Sequence, residues 1–163
     1  MFDYAAHGLL ESPVKRNLPG AGPQTIGAIL DRQLCRDPAK LALVGRSARY
    51  SYGQLDERVA RAAAVFHAQG IRQYDRIAAC LPNDVDIIIA LLACARLGAI
   101  WVGINRPLAA PEKVFILQDS GASLYLTDAQ GCEEIAAQRE TCPRLDMTSV
   151  STQTHRPVPG MKC

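Results

Sequence analysis

The side chains able to do chemistry are few and scattered. His7, His67 and His155 are far apart, and no two have metal-ligand spacing. The six cysteines, Cys35, Cys80, Cys94, Cys132, Cys142 and Cys163, form no C-x-x-C pair, which excludes a zinc ribbon or a thioredoxin-type motif. Asp84 and Asp86 have the form of an acid/base pair. Residues two apart do not share a helix face, however, and charge at the positive end of a helix accounts for them better. His67 falls at the end of an amphipathic stretch, at the negative end of the dipole, with no activating partner in view. Arg106 has the chemistry to hold an anionic group. Its competing reading is a loop arginine paired with a neighbouring carboxylate.

The phosphate-binding patterns are missing too. Gly20-Ala21-Gly22 precedes a helix, but no strand comes before it and the third glycine of a dinucleotide loop is absent. There is no Gly-x-x-x-x-Gly-Lys loop, no H-E-x-x-H and no G-x-S-x-G. No catalytic, cofactor-binding or metal-ligating residue is therefore assigned.

The elements that would position such groups are more legible. Thr25 is placed to cap a short amphipathic helix carrying Ile26, Ile29, Leu30 and Leu34, which Asp37-Pro38 stops. Lys40 to Val44 and Arg49 to Tyr52 flank Gly45-Arg46-Ser47 and predict a hairpin. Ser51 and Gln54 form a capping box, followed by an apolar stripe of Leu55, Val59, Ala62, Ala63 and Phe66, with Gly70 as the residue past the helix end. Arg76 to Leu81 predicts a strand covered on both faces. Asn83 is the expected cap of a helix running to Leu97, with Asp84 and Asp86 in its first turn. Ala99 to Ile104 predicts a second buried strand, Pro111 the first position of a third long helix over Glu112 to Gln118, and Ser123 to Leu126 a third strand. Cys132 to Arg139 predicts one more helix.

Strand, helix, strand, helix, strand gives an α/β fold: a parallel sheet with helical crossovers, preceded by a short hairpin. Ligands of such sheets sit beyond the C-terminal strand ends, here Pro82-Asn83, Asn105-Arg106-Pro107 and Thr127-Asp128. Residues 1–24, with Pro13, Pro19 and Pro23, read as an extended arm, residues 25–142 as the α/β unit and residues 143–163 as a linker-like tail.

Composition narrows the class further. The chain has 163 residues, 48% hydrophobic and 21% charged, which excludes disorder, collagen and coiled coil. The net charge of +2, with arginines scattered from Arg16 to Arg156, argues against a nucleic-acid binder. Ile87 to Ile104 is apolar except for Arg96, but that arginine costs about 2.5–3.5 kcal/mol in a bilayer, so a buried helix and strand are expected rather than a span. Met1 to Leu10 lack a basic start and a long apolar run, and with the unpaired cysteines this points to a reduced, cytoplasmic setting.

Five stretches in register resemble the adenylate-forming, or AMP-binding, acyl-CoA synthetases. Tyr50-Ser51-Tyr52-Gly53-Gln54-Leu55 resembles their first core motif, and the run from Leu92 through Arg96-Leu97-Gly98 to Asn105 resembles the second. Gly70-Ile71-Arg72-Gln73-Tyr74-Asp75-Arg76-Ile77, Leu81-Pro82-Asn83 and Gln118-Asp119-Ser120-Gly121-Ala122 are similar to segments the family carries in the same order. Tyr74 stands where glycine is usual, and Gly103 where proline is usual. The resemblance implies part of the large N-terminal domain of an enzyme that activates a carboxylic acid with ATP and magnesium to an acyl-adenylate and passes it to coenzyme A. The family's phosphate loop, its Tyr-x-x-Thr-Glu element and the small C-terminal domain with its lysine are not in this sequence. The expectation is thus an N-terminal fragment of an acyl-CoA ligase, inactive and prone to self-association alone. The alternative is a stand-alone α/β binding or scaffolding module.

Overall fold

The structure, a computed structural model, describes residues 25–136 and a strand at residues 146–149. The arm expected over residues 1–24 lies outside the described residues, as does most of the expected tail.

A 3-10 turn at Ile26–Ala28 leads into α1 (Asp31–Arg36). Thr25 precedes that turn but its side chain makes no cap hydrogen bond. The hairpin is β1 (Leu41–Val44) with β2 (Arg49–Ser51), antiparallel and joined by the expected glycine-containing loop. The capping box starts α2 (Tyr52–Ala68): the Ser51 hydroxyl accepts from the Gln54 N–H, and the Gln54 side chain accepts from the Ser51 N–H. Leu55, Val59, Ala63 and Phe66 bury one face, and Gly70, at φ 92°, turns the chain out of the helix.

The remaining elements are β3 (Arg76–Cys80), α3 (Val85–Arg96), β4 (Ile100–Gly103), α4 (Ala110–Ser120), β5 (Leu124–Thr127), α5 (Ala129–Ala136) and β6 (Asp146–Ser149). All four strands from β3 to β6 are parallel, in the order β4-β3-β5-β6. Strand alternation splits the core in two. Ile77, Ala79, Leu124 and Leu126 face α2 and α3, packing with Val59, Phe66, Ala93 and Cys94. Ala78, Cys80 and Tyr125 face the other way, packing with Val114 and Leu117 of α4 and Ile135 of α5. Each fully buried Leu, Ile, Val or Phe contributes roughly 1.5–3 kcal/mol. Arg96, expected to keep its stretch out of a bilayer, ties α3 to α2 through Asp56 at 2.5 Å. Among the described residues no helix is long and apolar enough to cross a membrane.

Five expectations need correction. Asp84, not Asn83, caps α3, because its carboxylate accepts the Val85 N–H at 2.8 Å and is held in place from elsewhere. β4 is only half-buried, since it pairs with β3 alone and lies at the edge of the described sheet. Pro111 is the second helical residue of α4, whose cap position is Ala109, with the Glu112 carboxylate reaching back to the Ala109 N–H. α5 starts three residues before Cys132, because Asp128 caps it by accepting the Gly131 N–H at 3.0 Å. Residues 146–149, within the stretch read as a linker, form β6 beside β5.

Candidate functional site

The strand order fixes where a site can form. α3 carries the chain from β3 to β4 on one side, and α5 carries it from β5 to β6 on the other, on the opposite face of the sheet. The connections diverge between β3 and β5, and a crevice at such a switch point is where open α/β sheets take ligands. Its floor is Cys80 at the end of β3 and Thr127 at the end of β5. The Thr127 hydroxyl donates to the Cys80 carbonyl at 3.3 Å.

Two ion pairs close the crevice. Arg106, after β4, donates to Asp128, after β5, at 2.7 Å. Lys113 of α4, only 3% exposed, donates to Glu134 of α5 at 2.6 Å. The hydrogen bond to Asp128 raises the Arg106 pKa further, against the opposing effect of burial. Burial would raise the Asp128 carboxyl, but the Gly131 N–H and the Arg106 guanidinium hold it below its ordinary value. The Lys113 ammonium lowers Glu134, against the effect of burial. Each cation is already matched by a carboxylate of this chain. Gly131 lets α5 close onto β5: a Cβ there would lie 1.9 Å from the Thr127 hydroxyl oxygen. The space left, bounded by Cys80, Arg106, Lys113, Thr127, Asp128 and Glu134, is about 60 Å³.

Of the residues singled out in the sequence, Arg106 does reach the switch point, and it takes the loop-arginine reading, paired with Asp128. His67 is exposed at the end of α2, where its carbonyl accepts from Arg72 at 2.8 Å. Asp84 serves the α3 cap. Cys80 and Cys94 are buried, and burial pushes the Cys94 thiol up to about 11, so it stays protonated. Lys113 and Glu134 escaped the sequence reading. The signal was the Lys113-Val114 position one turn into a helix with Leu117 beneath it, which puts the lysine on the covered face. The Tyr125 hydroxyl is buried with no hydrogen-bond partner among the described residues, and burial pushes its pKa up.

The crevice at the switch point is small beside the groups that the resemblance implies. Pockets for cofactors and substrates enclose about 300–1,000 Å³, several times the space here, and both cations spend their charge on carboxylates of this chain. Among the described residues no group of three His, Cys, Asp or Glu side chains is gathered that could hold a metal ion. What the arrangement does is fasten α4 to α5 and the β4 loop to the β5 loop.

Comparison with known proteins bears on the same stretch. The sequence model of the AMP-binding enzyme family matches residues 30–160. Over 118 residues the chain is 37% identical to the long-chain-fatty-acid–CoA ligase FadD13 of Mycobacterium tuberculosis, covering 71% of this chain and 24% of that one. Over 82 residues it is 43% identical to the crotonobetaine/carnitine–CoA ligase of Salmonella paratyphi A, covering 50% of this chain and 16% of that one. The chain thus spans a quarter or less of the length of these relatives. The fold superposes on the N-terminal domain of FACL13 from Mycobacterium tuberculosis with a TM-score of 0.75 and 31% identity, covering 86% of this chain and 39% of that domain. A fatty acyl CoA synthetase of the same organism gives 0.72 at 33% identity, over 77% and 26%.

Proposed function

The chain belongs to the AMP-binding enzyme family, and we propose on that premise that it forms part of the large N-terminal domain of an ATP-dependent acid–CoA ligase. The whole enzyme would activate a carboxylic acid to an acyl-adenylate and then form the thioester with coenzyme A. In this reading the present residues build the scaffold, and adenylation needs segments that they do not supply. The observation that carries it is the agreement of five motifs in order and spacing over a doubly wound sheet like that of a ligase N-terminal domain. The switch-point chemistry supports the scaffold role, because Arg106, Lys113, Asp128 and Glu134 satisfy one another. Free thiols at Cys80 and Cys94 support a cytoplasmic setting.

Transfer of an adenylyl group depends on cations and backbone donors placed around the phosphates. The purified 163-residue chain is expected to release no pyrophosphate from ATP with any fatty or aromatic acid. A chimera in which its residues 25–149 replace the matching stretch of FadD13 is expected to form acyl-CoA. Carboxylate-dependent pyrophosphate release by the chain alone would overturn the scaffold reading. A folded but inert chimera, with a ligand retained by the chain alone, would favour the stand-alone binding module.

A further inference from the structure

The β1–β2 hairpin meets the four-stranded unit twice. Its stem packs Ala42, Leu43 and Tyr50 against the larger core. Its loop is held by a single side chain from the far end of β3. The Asp84 carboxylate accepts the Arg46 N–H at 2.9 Å and the Ser47 N–H at 3.2 Å, from 38 and 37 residues away, as well as the Val85 N–H at 2.8 Å. Gly45 packs so close that a Cβ on it would sit 2.0 Å from the Asp84 Oδ1 and 2.7 Å from Val85.

We propose that Asp84 is a latch with two separable duties: it caps α3, and it holds loop 45–48 as a strap over the start of that helix. The cap position of a helix calls for one side-chain acceptor, which Asn, Asp or Ser supplies about equally well. Reaching two further N–H groups on another element takes the second oxygen and the length of a carboxylate. Charged acceptors make the stronger hydrogen bonds, so the strap stays closed while Asp84 is ionised. The glycine at position 45 is the matching half of the device, leaving room for the carboxylate against the loop backbone. Because the stem has its own apolar anchor, opening is confined to the loop and leaves the sheet folded.

The test is amide hydrogen exchange on the full chain, resolved to single residues. Asp84→Ser keeps a good helix cap but is too short to bridge to the loop. The Arg46 and Ser47 amides are expected to exchange about tenfold faster or more, the loss of a hydrogen bond to a charged group. Ala79 and Leu126, in the middle of the sheet, should keep their protection. Gly45→Ala leaves the carboxylate in place and pushes the loop off it, and should speed up the same two amides. Unchanged exchange at Arg46 and Ser47 in either folded variant would overturn the proposal. So would a speed-up spread evenly through β3 and β5, since the strap would then not be a separate unit. Should Asp84→Ser fail to fold, Gly45→Ala decides the matter alone.

Discussion

Tyr74 and Gly98 sit on facing turns, both in left-handed backbone at φ 70° and 68°, and the Tyr74 N–H donates to the Gly98 carbonyl at 3.0 Å. The turn before Asp75 therefore asks for glycine, and Tyr74 fills it at a cost, the residue being 72% exposed. A left-handed L-residue is strained by about 1–2 kcal/mol, and glycine gives back about 0.5–1 kcal/mol through chain entropy. Tyr74→Gly should stabilise the protein by up to about 1.5 kcal/mol, whereas Tyr74→Val should destabilise it. Urea melts of both variants decide this; a lower midpoint for Tyr74→Gly would show that the ring is held by contacts worth more than the strain.

Core truncations should separate two residues that look alike in sequence. Leu92 is buried in the cluster under α2 and α3, and Leu92→Ala should cost about 2–5 kcal/mol. Val102, on the edge strand, is only half-buried, and Val102→Ala should cost well under that. Equal losses in denaturant melts would contradict the edge position of β4.

Gly131→Ala should destabilise through overpacking, by about 1–3 kcal/mol, since Thr127 is fully buried and cannot swing aside. Thr127→Ser, which removes a methyl group but keeps the hydroxyl, should rescue little of that loss, because the clash is with the hydroxyl oxygen. Full rescue in the double variant would place the conflict at the methyl group instead.

Acid should loosen both the strand-end crevice and the hairpin loop held by Asp84. Asp84, Asp128 and Glu134 all have carboxyl groups held below their ordinary values of 3.8, 3.8 and 4.5. For Asp84 and Asp128, burial opposes that shift and hydrogen bonds to backbone N–H groups overcome it, whereas for Glu134 the bond to Lys113 leads. A lowered folded-state pKa means more protons bound in the unfolded chain, so stability rises with pH across this range. The contribution is complete above the ordinary values and is lost as pH falls through the lowered ones. Thermal melts should be level from pH 7 to pH 5 by this contribution and fall below about pH 4. Glu134→Gln should make that fall shallower; an unchanged slope would remove the Lys113 pair from the account.

Most local structure was legible because the deciding contacts are local. The Ser51–Gln54 box spans three residues, and the glycine past α2 is read from one φ that only glycine adopts freely. The failures share a cause in contacts made across the fold. Asn83 and Asp84 are both good caps, and the choice fell to the one that Arg46 and Ser47, nearly forty residues earlier, hold in place. The run Ile100–Gly103 is apolar enough for a central strand, yet strand order puts it at the edge. The ion pairs at the crevice join residues 21 and 22 apart, so the helical spacing that puts Lys113 on the covered face does not name Glu134 as its partner, and Arg106 showed its chemistry but not its partner.

Self-association is expected from that same edge. Among the described residues β4 pairs on one side only, and Ile100, Trp101, Val102 and Gly103 carry no charge to discourage a second strand. Light scattering across a concentration series, under reducing conditions, should show growth of larger species. Ile100→Lys, at a residue 42% exposed, should suppress it. A monomer at every concentration would count against this edge being open in solution.

The order β4-β3-β5-β6 also sets a timetable for the nascent chain. The hairpin, α2, β3, α3 and β4 can assemble as they are made, but the inner flank of β3 stays open until β5 arrives, Cys80 and Thr127 being 47 residues apart. At translation rates of about 5–20 residues per second, that gap lasts roughly two to nine seconds. For that interval the backbone of Ile77 and Ala79 has no partner on the flank that β5 later takes, so the time between making Ile77 and making Leu124 is when β3 is most open to wrong pairing.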